Sequence, residues 1–162
     1  MFGGDGVRLA NGNQAPSPQM ISRILETGDA RSVKLATAIQ NGKVEIVYSK
    51  LDGLNGRYFP GTNQIELNQD LIYTGNTGLK RAATITAHEG QHFFDDISGV
   101  KNMSNKSYLE ARAFLAEQKF ADSIGKPELG TIYENRVLLG ENGSLATRFD
   151  AWDRIKTIYG FK

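Results

Sequence analysis

His88-Glu89-Gly90-Gln91-His92 decides how this chain is interpreted, because it reads H-E-x-x-H within a segment of helical pattern. Two histidines four residues apart on a helix project from the same face, about one turn apart. Their imidazoles can bind one metal ion, and the intervening Glu89 can act on a water molecule at that metal. The chain contains 2 histidines, and this motif uses both.

The residues beside the motif favour a partly buried site over an exposed helical face. Small and apolar residues fill positions 82–87, and Phe93 and Phe94 follow the motif directly. Imidazoles in such surroundings need polar partners. We therefore predict that His88 and His92 bind a metal, with a hydrogen-bonded structural pair as the alternative.

Composition limits the classes of protein that the chain can represent. Its 162 residues suit one domain with a sizeable core, and Lys+Arg 19 against Asp+Glu 18 gives no field that favours nucleic acid or an anionic membrane. No apolar run approaches the length of a membrane span, and the first residues lack the pattern of a signal peptide. Without cysteine, a metal must be held by His, Asp or Glu.

The chain pattern predicts one domain over residues 18–162, preceded by a flexible lead-in or linker over residues 1–17. Ser17-Pro18 begins a first helix that ends at Gly28. Asp29 can cap a second helix, which ends at Asn41-Gly42.

Strand-like alternation follows near residues 44–48, 57–59 and 64–68, and the tight turns between them favour an antiparallel sheet. Helical patterns return over residues 79–97, 107–124 and 145–159. The predicted fold class is α+β: a small antiparallel or mixed sheet packs on the motif helix and on a second long helix.

The third metal ligand is expected to be a carboxylate, because no third histidine exists. The extended motif H-E-x-x-H-x-x-G-x-x-H is excluded, since Asp95 and Ser98 occupy its glycine and last histidine positions. We predict Glu110, early in the next long helix, because two antiparallel helices could bring it beside His88 and His92.

Alternatives to this assignment remain open in the sequence. Ser107-Tyr108-Leu109-Glu110 is also a capping box, in which Glu110 would bond the start of its own helix. Glu117 and Glu134 are further candidate ligands. Asp96 could orient an imidazole or be a solvated residue near a helix end, and Asp95 has the same ambiguity.

The expected chemistry is hydrolysis by a zinc-bound water that Glu89 activates. Zinc lowers the pKa of its water toward about 7, and Glu89 would take a proton from that water and pass it to the leaving amine. The residues chemically able to support the oxyanion are Tyr108, Arg112, Tyr133 and Arg148. The strand at 64–68 could align a peptide by strand addition, or it could be an ordinary edge strand.

These features resemble the zincin metallopeptidases of the gluzincin type over about residues 57 to 124. The resemblance rests on the H-E-x-x-H motif, the strand before it, and the helix bearing Glu110. It implies a zinc ion (Zn2+), ligands His88, His92 and Glu110, the general base Glu89, and a peptide or protein substrate. Some gluzincins carry E-x-x-x-D on the second helix, but Phe114 occupies the Asp position here.

In its small size, lead-in and balanced charge, the chain is loosely similar to metallopeptidase toxin or effector domains of bacterial polymorphic toxins. That likeness implies secretion as part of a larger effector and a cognate immunity or inhibitor protein. Two other functions are weighed against the peptidase: a catalytically degenerate zinc-binding regulatory module, and a zinc amidase acting on the cell wall.

Overall fold

The computed structural model describes residues 6–71, 73–99 and 106–133, and these form an α+β fold, as predicted. The helices are α1 Pro18–Leu25, α2 Ala30–Gln40, α3 Gly75–Ile97 and α4 Lys106–Ser123. The strands are β1 Val7–Arg8, β2 Gln14–Ala15, β3 Glu45–Ser49, β4 Gly56–Tyr58 and β5 Gln64–Asn68. A 3₁₀ turn over Pro127–Leu129 follows α4. The helix predicted over residues 145–159 lies outside the described residues.

Part of the lead-in has regular structure. Residues that the sequence assigned to a flexible segment form an antiparallel hairpin of β1 and β2, in which Val7 pairs with Ala15. Ala15 is fully buried in the core, and the Tyr48 hydroxyl donates to the Pro16 carbonyl at 2.7 Å. The hairpin escapes prediction because each strand has two residues, too few for an alternating pattern to appear.

The first two helices begin and end where capping signals place them. The Ser17 hydroxyl accepts from the Met20 N–H at 3.2 Å, and Pro18 occupies the first turn of α1. Asp29 precedes α2, but its carboxylate accepts from the Ser32 hydroxyl and makes no hydrogen bond to the backbone of the first turn. Both helices thus begin at the predicted capping residues, although Asp29 bonds the Ser32 side chain where a usual cap bonds a backbone N–H.

The main sheet is mixed, with strand order β3-β5-β4. The expectation of an antiparallel sheet is right for β4 and β5, but wrong for β3 and β5, which run parallel. The chain leaves β3, passes through the turn at Gly53 and forms β4 on the far side of β5. The central position of β5 also excludes peptide addition at Gln64–Asn68, because its backbone groups are already paired on both sides.

The motif helix α3 packs across β4 and β5, and small residues let its neighbours approach. A Cβ atom at Gly90 would lie 2.3 Å from Cδ2 of Leu35, so glycine permits the contact with α2. The helix begins at Gly75, four residues before its predicted start, and Gly99 follows its end with φ 67°. The core lies between α3, the sheet and the first helices, and its largest fully buried residues include Ile21, Leu25, Leu35, Ile65, Leu67, Tyr73, Phe93 and Phe120.

Helices α3 and α4 are antiparallel neighbours, as the sequence analysis expects. His88, early in the motif, contacts Glu117, whereas His92, one turn later, contacts the earlier residue Glu110. Ala113 is fully buried, and its small side chain suits this close helix contact. The faces of the two helices that carry the candidate ligands therefore lie opposite each other.

Within the described part of the chain, every helix is too short or too polar to cross a bilayer.

Candidate metal centre

His88, His92 and Glu110 come together at one point between α3 and α4. Nε2 of His88 lies 3.1 Å from one oxygen of Glu110, and Nε2 of His92 lies 2.9 Å from the other. One ligand atom from each of the three residues falls within 4.8 Å of the others. Each of these side chains keeps some exposure, with 13%, 14% and 24% accessible for His88, His92 and Glu110.

The two nitrogen-to-oxygen distances are close to those expected around a tetrahedral zinc ion. Ligand atoms about 2.1 Å from a tetrahedral zinc lie about 3.4 Å from one another. The nitrogen-to-oxygen distances of 2.9 and 3.1 Å are shorter by about half an ångström or less. A small movement of the Glu110 carboxylate would bring these two distances to the tetrahedral value, and two imidazoles with one carboxylate are a donor set that suits zinc.

Glu110 directs both of its oxygens at the histidines. Acting as a helix cap, the same carboxylate would have to turn back toward the backbone at Ser107. The helix already begins at Lys106, which places Ser107 inside α4. Of the two roles that the sequence leaves open, the observed orientation is the one that a metal ligand needs.

Glu89 lies next to the cluster but is not one of its three candidate ligands. Its residue is 7% exposed, and its Oε2 is 4.0 Å from Nε2 of His88. Strand β4 passes close by, because a Cβ atom at Gly56 would lie 3.2 Å from Cγ of Glu89. Burial raises the pKa of Glu89, and this effect exceeds the opposing charges of His88 and His92.

Glu117, a candidate ligand from the sequence, contacts the opposite edge of the His88 ring. Its Oε1 lies 2.8 Å from Nδ1 of His88, whereas Glu110 faces Nε2. Its Oε2 accepts hydrogen bonds from the backbone N–H of Thr131 at 3.3 Å and from the Thr131 hydroxyl at 3.1 Å. Glu117 is thus a partner of His88, a candidate ligand, and is separate from the three-residue cluster.

The charges of the site interact strongly when no metal is bound. Burial opposes protonation of His88, but Glu89, Glu110 and Glu117 outweigh it and raise the pKa of His88 well above its usual value. Burial would raise the pKa of Glu110, but hydrogen bonds and charges from His88 and His92 lower it to about 2. The two shifts have a common cause, because the positive charge of His88 and the negative charge of Glu110 stabilise each other.

Asp95 and Asp96, the two acids after the motif, make hydrogen bonds and an ion pair that join parts of the fold. Nε and Nη2 of Arg112 donate to the carboxylate of Asp95 at 2.9–3.1 Å, and Gln91 donates to the same group. Asp96 accepts from the Tyr58 hydroxyl at 2.6 Å and from the Gly61 N–H at 2.8 Å. Asp96 is therefore neither a solvated residue nor an imidazole partner: it fastens the end of β4 to α3.

The candidate oxyanion donors are only partly placed. Arg112 is engaged with Asp95, and the backbone N–H of Tyr133 donates to the Gln118 side chain. The side chains of Tyr108 and Arg148 lie outside the described part of the chain, as does Glu134.

A cleft of about 490 Å³ opens beside the cluster. Its walls include the three candidate ligands and Glu89, together with Gly56, Arg57 and Tyr58 of β4. Sequence reasoning missed this role of β4 because three residues carry little pattern. The contact of Glu117 with one of the motif histidines was predictable. Glu117 lies seven residues after Glu110, and residues seven apart on a helix share a face.

Comparison with known proteins found no protein-family model, no curated protein and no solved structure that matches this chain. The site must therefore be interpreted from its own geometry.

Proposed function

We propose that this protein is a zinc-dependent metallopeptidase with a zincin-like fold of the gluzincin type. One observation carries the proposal: His88, His92 and Glu110 converge beside a cleft, with Glu89 adjacent to them. A structural zinc site is usually closed by four protein ligands, whereas catalytic sites have three. The cluster has three ligands within residues 6–71, 73–99 and 106–133.

His88 and His92 would hold the ion through Nε2, and Glu110 through its carboxylate. Zinc bound there would polarise a substrate carbonyl and lower the pKa of a water molecule toward about 7. The half-buried position of the ligands supports this chemistry, because electrostatic interactions strengthen where water is excluded.

Glu89 would act as the general base. It is not one of the three residues whose candidate ligand atoms lie within 4.8 Å of one another, so it flanks the cluster. Burial raises the pKa of its carboxyl, and a general base is most effective when its pKa lies near the working pH. Glu89 would take a proton from the attacking water and deliver it to the leaving amine.

Strand β4 would align an extended substrate. It is an edge strand of the main sheet within the described residues, and its three residues line the cleft. A peptide can pair with such an edge through backbone hydrogen bonds. This role moves the substrate-binding strand from Gln64–Asn68, which is central, to Gly56–Tyr58.

The decisive experiment combines elemental analysis with a pair of Glu→Gln variants. Wild-type protein should carry about one zinc and cleave members of a peptide library. Glu89→Gln should keep the zinc but lose about 10²- to 10⁴-fold in rate, because the base is removed. Glu128→Gln, at an exposed position, is the matched control and should behave as wild type.

Several outcomes of that experiment count against the proposal. A wild-type rate in Glu89→Gln contradicts the assigned mechanism. Cleavage of purified peptidoglycan without cleavage of peptides indicates a cell-wall amidase. Zinc binding without hydrolysis of either substrate indicates a regulatory module. We also propose that the protein is an effector domain of the kind found in polymorphic toxins, and toxicity on expression would support this. A cognate inhibitor that relieves such toxicity is part of the same proposal.

A further inference from the structure

One ligand of the candidate zinc site has a partner on each of its two ring nitrogens. Nε2 of His88 faces Glu110, and Nδ1 lies 2.8 Å from Glu117. An imidazole that donates Nδ1–H to a carboxylate has its tautomer and its ring orientation fixed. The nitrogen left for the metal is then Nε2, which is the one beside His92 and Glu110.

The Glu117 carboxylate is itself held in place by a second residue, Thr131. It is 6% exposed, and its second oxygen accepts two hydrogen bonds from Thr131. A buried carboxylate with all of these partners cannot turn away from His88 without losing them. The chain therefore gives this acid a fixed orientation.

Thr131 lies in the segment after α4, and Gln118, the residue after Glu117, binds that segment to the helix. The Gln118 side chain donates to the Pro127 carbonyl at 3.0 Å and accepts from the Tyr133 N–H at 2.7 Å. Gly130 packs so closely that an added Cβ would lie 2.1 Å from Oε1 of Gln118. These contacts present Thr131 to Glu117.

Phe114 occupies the position where some gluzincins place the supporting Asp. Its ring packs edge-on against His88, with ring centroids 4.7 Å apart. An apolar ring can limit the tilt of the imidazole, but it cannot accept the Nδ1 proton. The acceptor must come from another position, and Glu117 lies one helical turn further along the same face of α4.

We propose that Glu117 is the positioning residue for His88, and that Thr131 holds Glu117 in place. The inference rests on the zinc-binding part of the proposed function. It places the supporting carboxylate seven residues after the ligand Glu110. It also makes Thr131, from the segment after α4, a part of the metal centre, because Thr131 carries the two donors that fix Glu117.

The test measures zinc affinity by competition with a chelator, so it does not depend on catalysis. Removing an outer partner of a ligand usually costs about 10- to 100-fold in metal affinity. We expect the loss of zinc affinity in Glu117→Ala to lie near the upper end of that range. The loss in Glu117→Gln should lie near the lower end, because its amide oxygen can still accept a hydrogen bond from Nδ1–H of His88. Thr131→Val, which keeps the backbone N–H donor, should lose less zinc affinity than Glu117→Gln. Thr37→Val, at an exposed position of α2, is its matched control and should bind zinc as tightly as wild type.

A rescue and a spectrum separate positioning from general damage. Adding Phe114→Asp to Glu117→Ala should recover at least part of the lost affinity, because a carboxylate returns beside the same ring. In wild-type protein loaded with zinc, ¹⁵N-correlated spectra should show the His88 proton on Nδ1. The Glu117→Gln spectrum should keep that tautomer with a shifted Nδ1 resonance, which covers the case in which Glu117→Ala does not fold.

Each failure has a distinct meaning. Equal zinc affinity in wild type and Glu117→Ala, or a His88 ring protonated at Nε2, overturns the positioning role and leaves the proposed function standing. Weakened zinc in the Glu117 variants of a protein that cleaves nothing supports the positioning role and counts against the peptidase. A wild-type protein that binds no zinc overturns both.

Discussion

Gly90→Ala is expected to destabilise the protein, although alanine is the better helix former. In the interior of a helix, replacing Gly by Ala gains about 0.8–1 kcal/mol. Here the new Cβ would lie 2.3 Å from Cδ2 and 2.8 Å from Cδ1 of Leu35, which is 2% exposed. Overpacking of this kind costs about 1–3 kcal/mol, so we expect a net loss of about 1 kcal/mol in the free energy of unfolding.

Urea denaturation of a double-mutant cycle measures this directly. Leu35→Val alone should cost about 1 kcal/mol, because one buried methylene is removed. Combining it with Gly90→Ala relieves the contact with both Cδ atoms, so the double variant should be more stable than the sum of the two changes by about 1 kcal/mol.

The reasoning is refuted if Gly90→Ala is as stable as, or more stable than, wild type. Zinc affinity serves as an internal control. Gly90 faces Leu35 of α2, whereas the candidate ligands His88 and His92 face α4. We therefore expect affinity to change less than threefold, well below the loss from removing a ligand's partner, which is about 10-fold or more.

Three further predictions concern the site and its supports. Glu110→Gln should weaken zinc binding at least as much as loss of an outer partner, by about 100-fold or more in chelator competition, and near-wild-type affinity would reject Glu110 as a ligand. Arg112→Met should lower the free energy of unfolding by about 3 kcal/mol, because it leaves the buried Asp95 without its cation; adding Asp95→Asn should recover part of the loss in urea melts. Asp96→Ala should cost about 2 kcal/mol by leaving the Tyr58 hydroxyl without its acceptor, and adding Tyr58→Phe should cost little more.

Features set by nearby residues were predictable from the sequence. Ser17 and Pro18 mark the start of α1 through a hydrogen bond within one turn, and that bond forms. The motif spacing placed His88 and His92 on one face of a helix, and the absence of other histidines pointed to a carboxylate. Glu110 followed from an expected antiparallel helix pair, a simple and local topology.

Features set by longer-range pairing were not. The parallel alignment of β3 with β5 depends on where β4 is placed, and no residue within either strand encodes that choice. The β1–β2 hairpin is stabilised by burial of Ala15 against distant parts of the chain. Glu117 was a candidate ligand because its position on α4 was right, but which edge of the His88 ring it meets depends on the packing of two helices.

The antiparallel pairing of α3 with α4 also has a consequence for folding. His88 and Glu110 are 22 residues apart in the chain, and all three candidate ligands fall within that interval. The entropy cost of closing a loop rises with its length, by about 0.6 kcal/mol for each doubling. Bringing the three candidate ligands together closes only this short stretch of chain. An ion captured there would hold the two helices together before the hairpin, α1 or the sheet had docked. Hydrogen exchange in the presence of zinc should then show its largest added protection in α3 and α4, which would make this helix pair the most persistent unit of the protein.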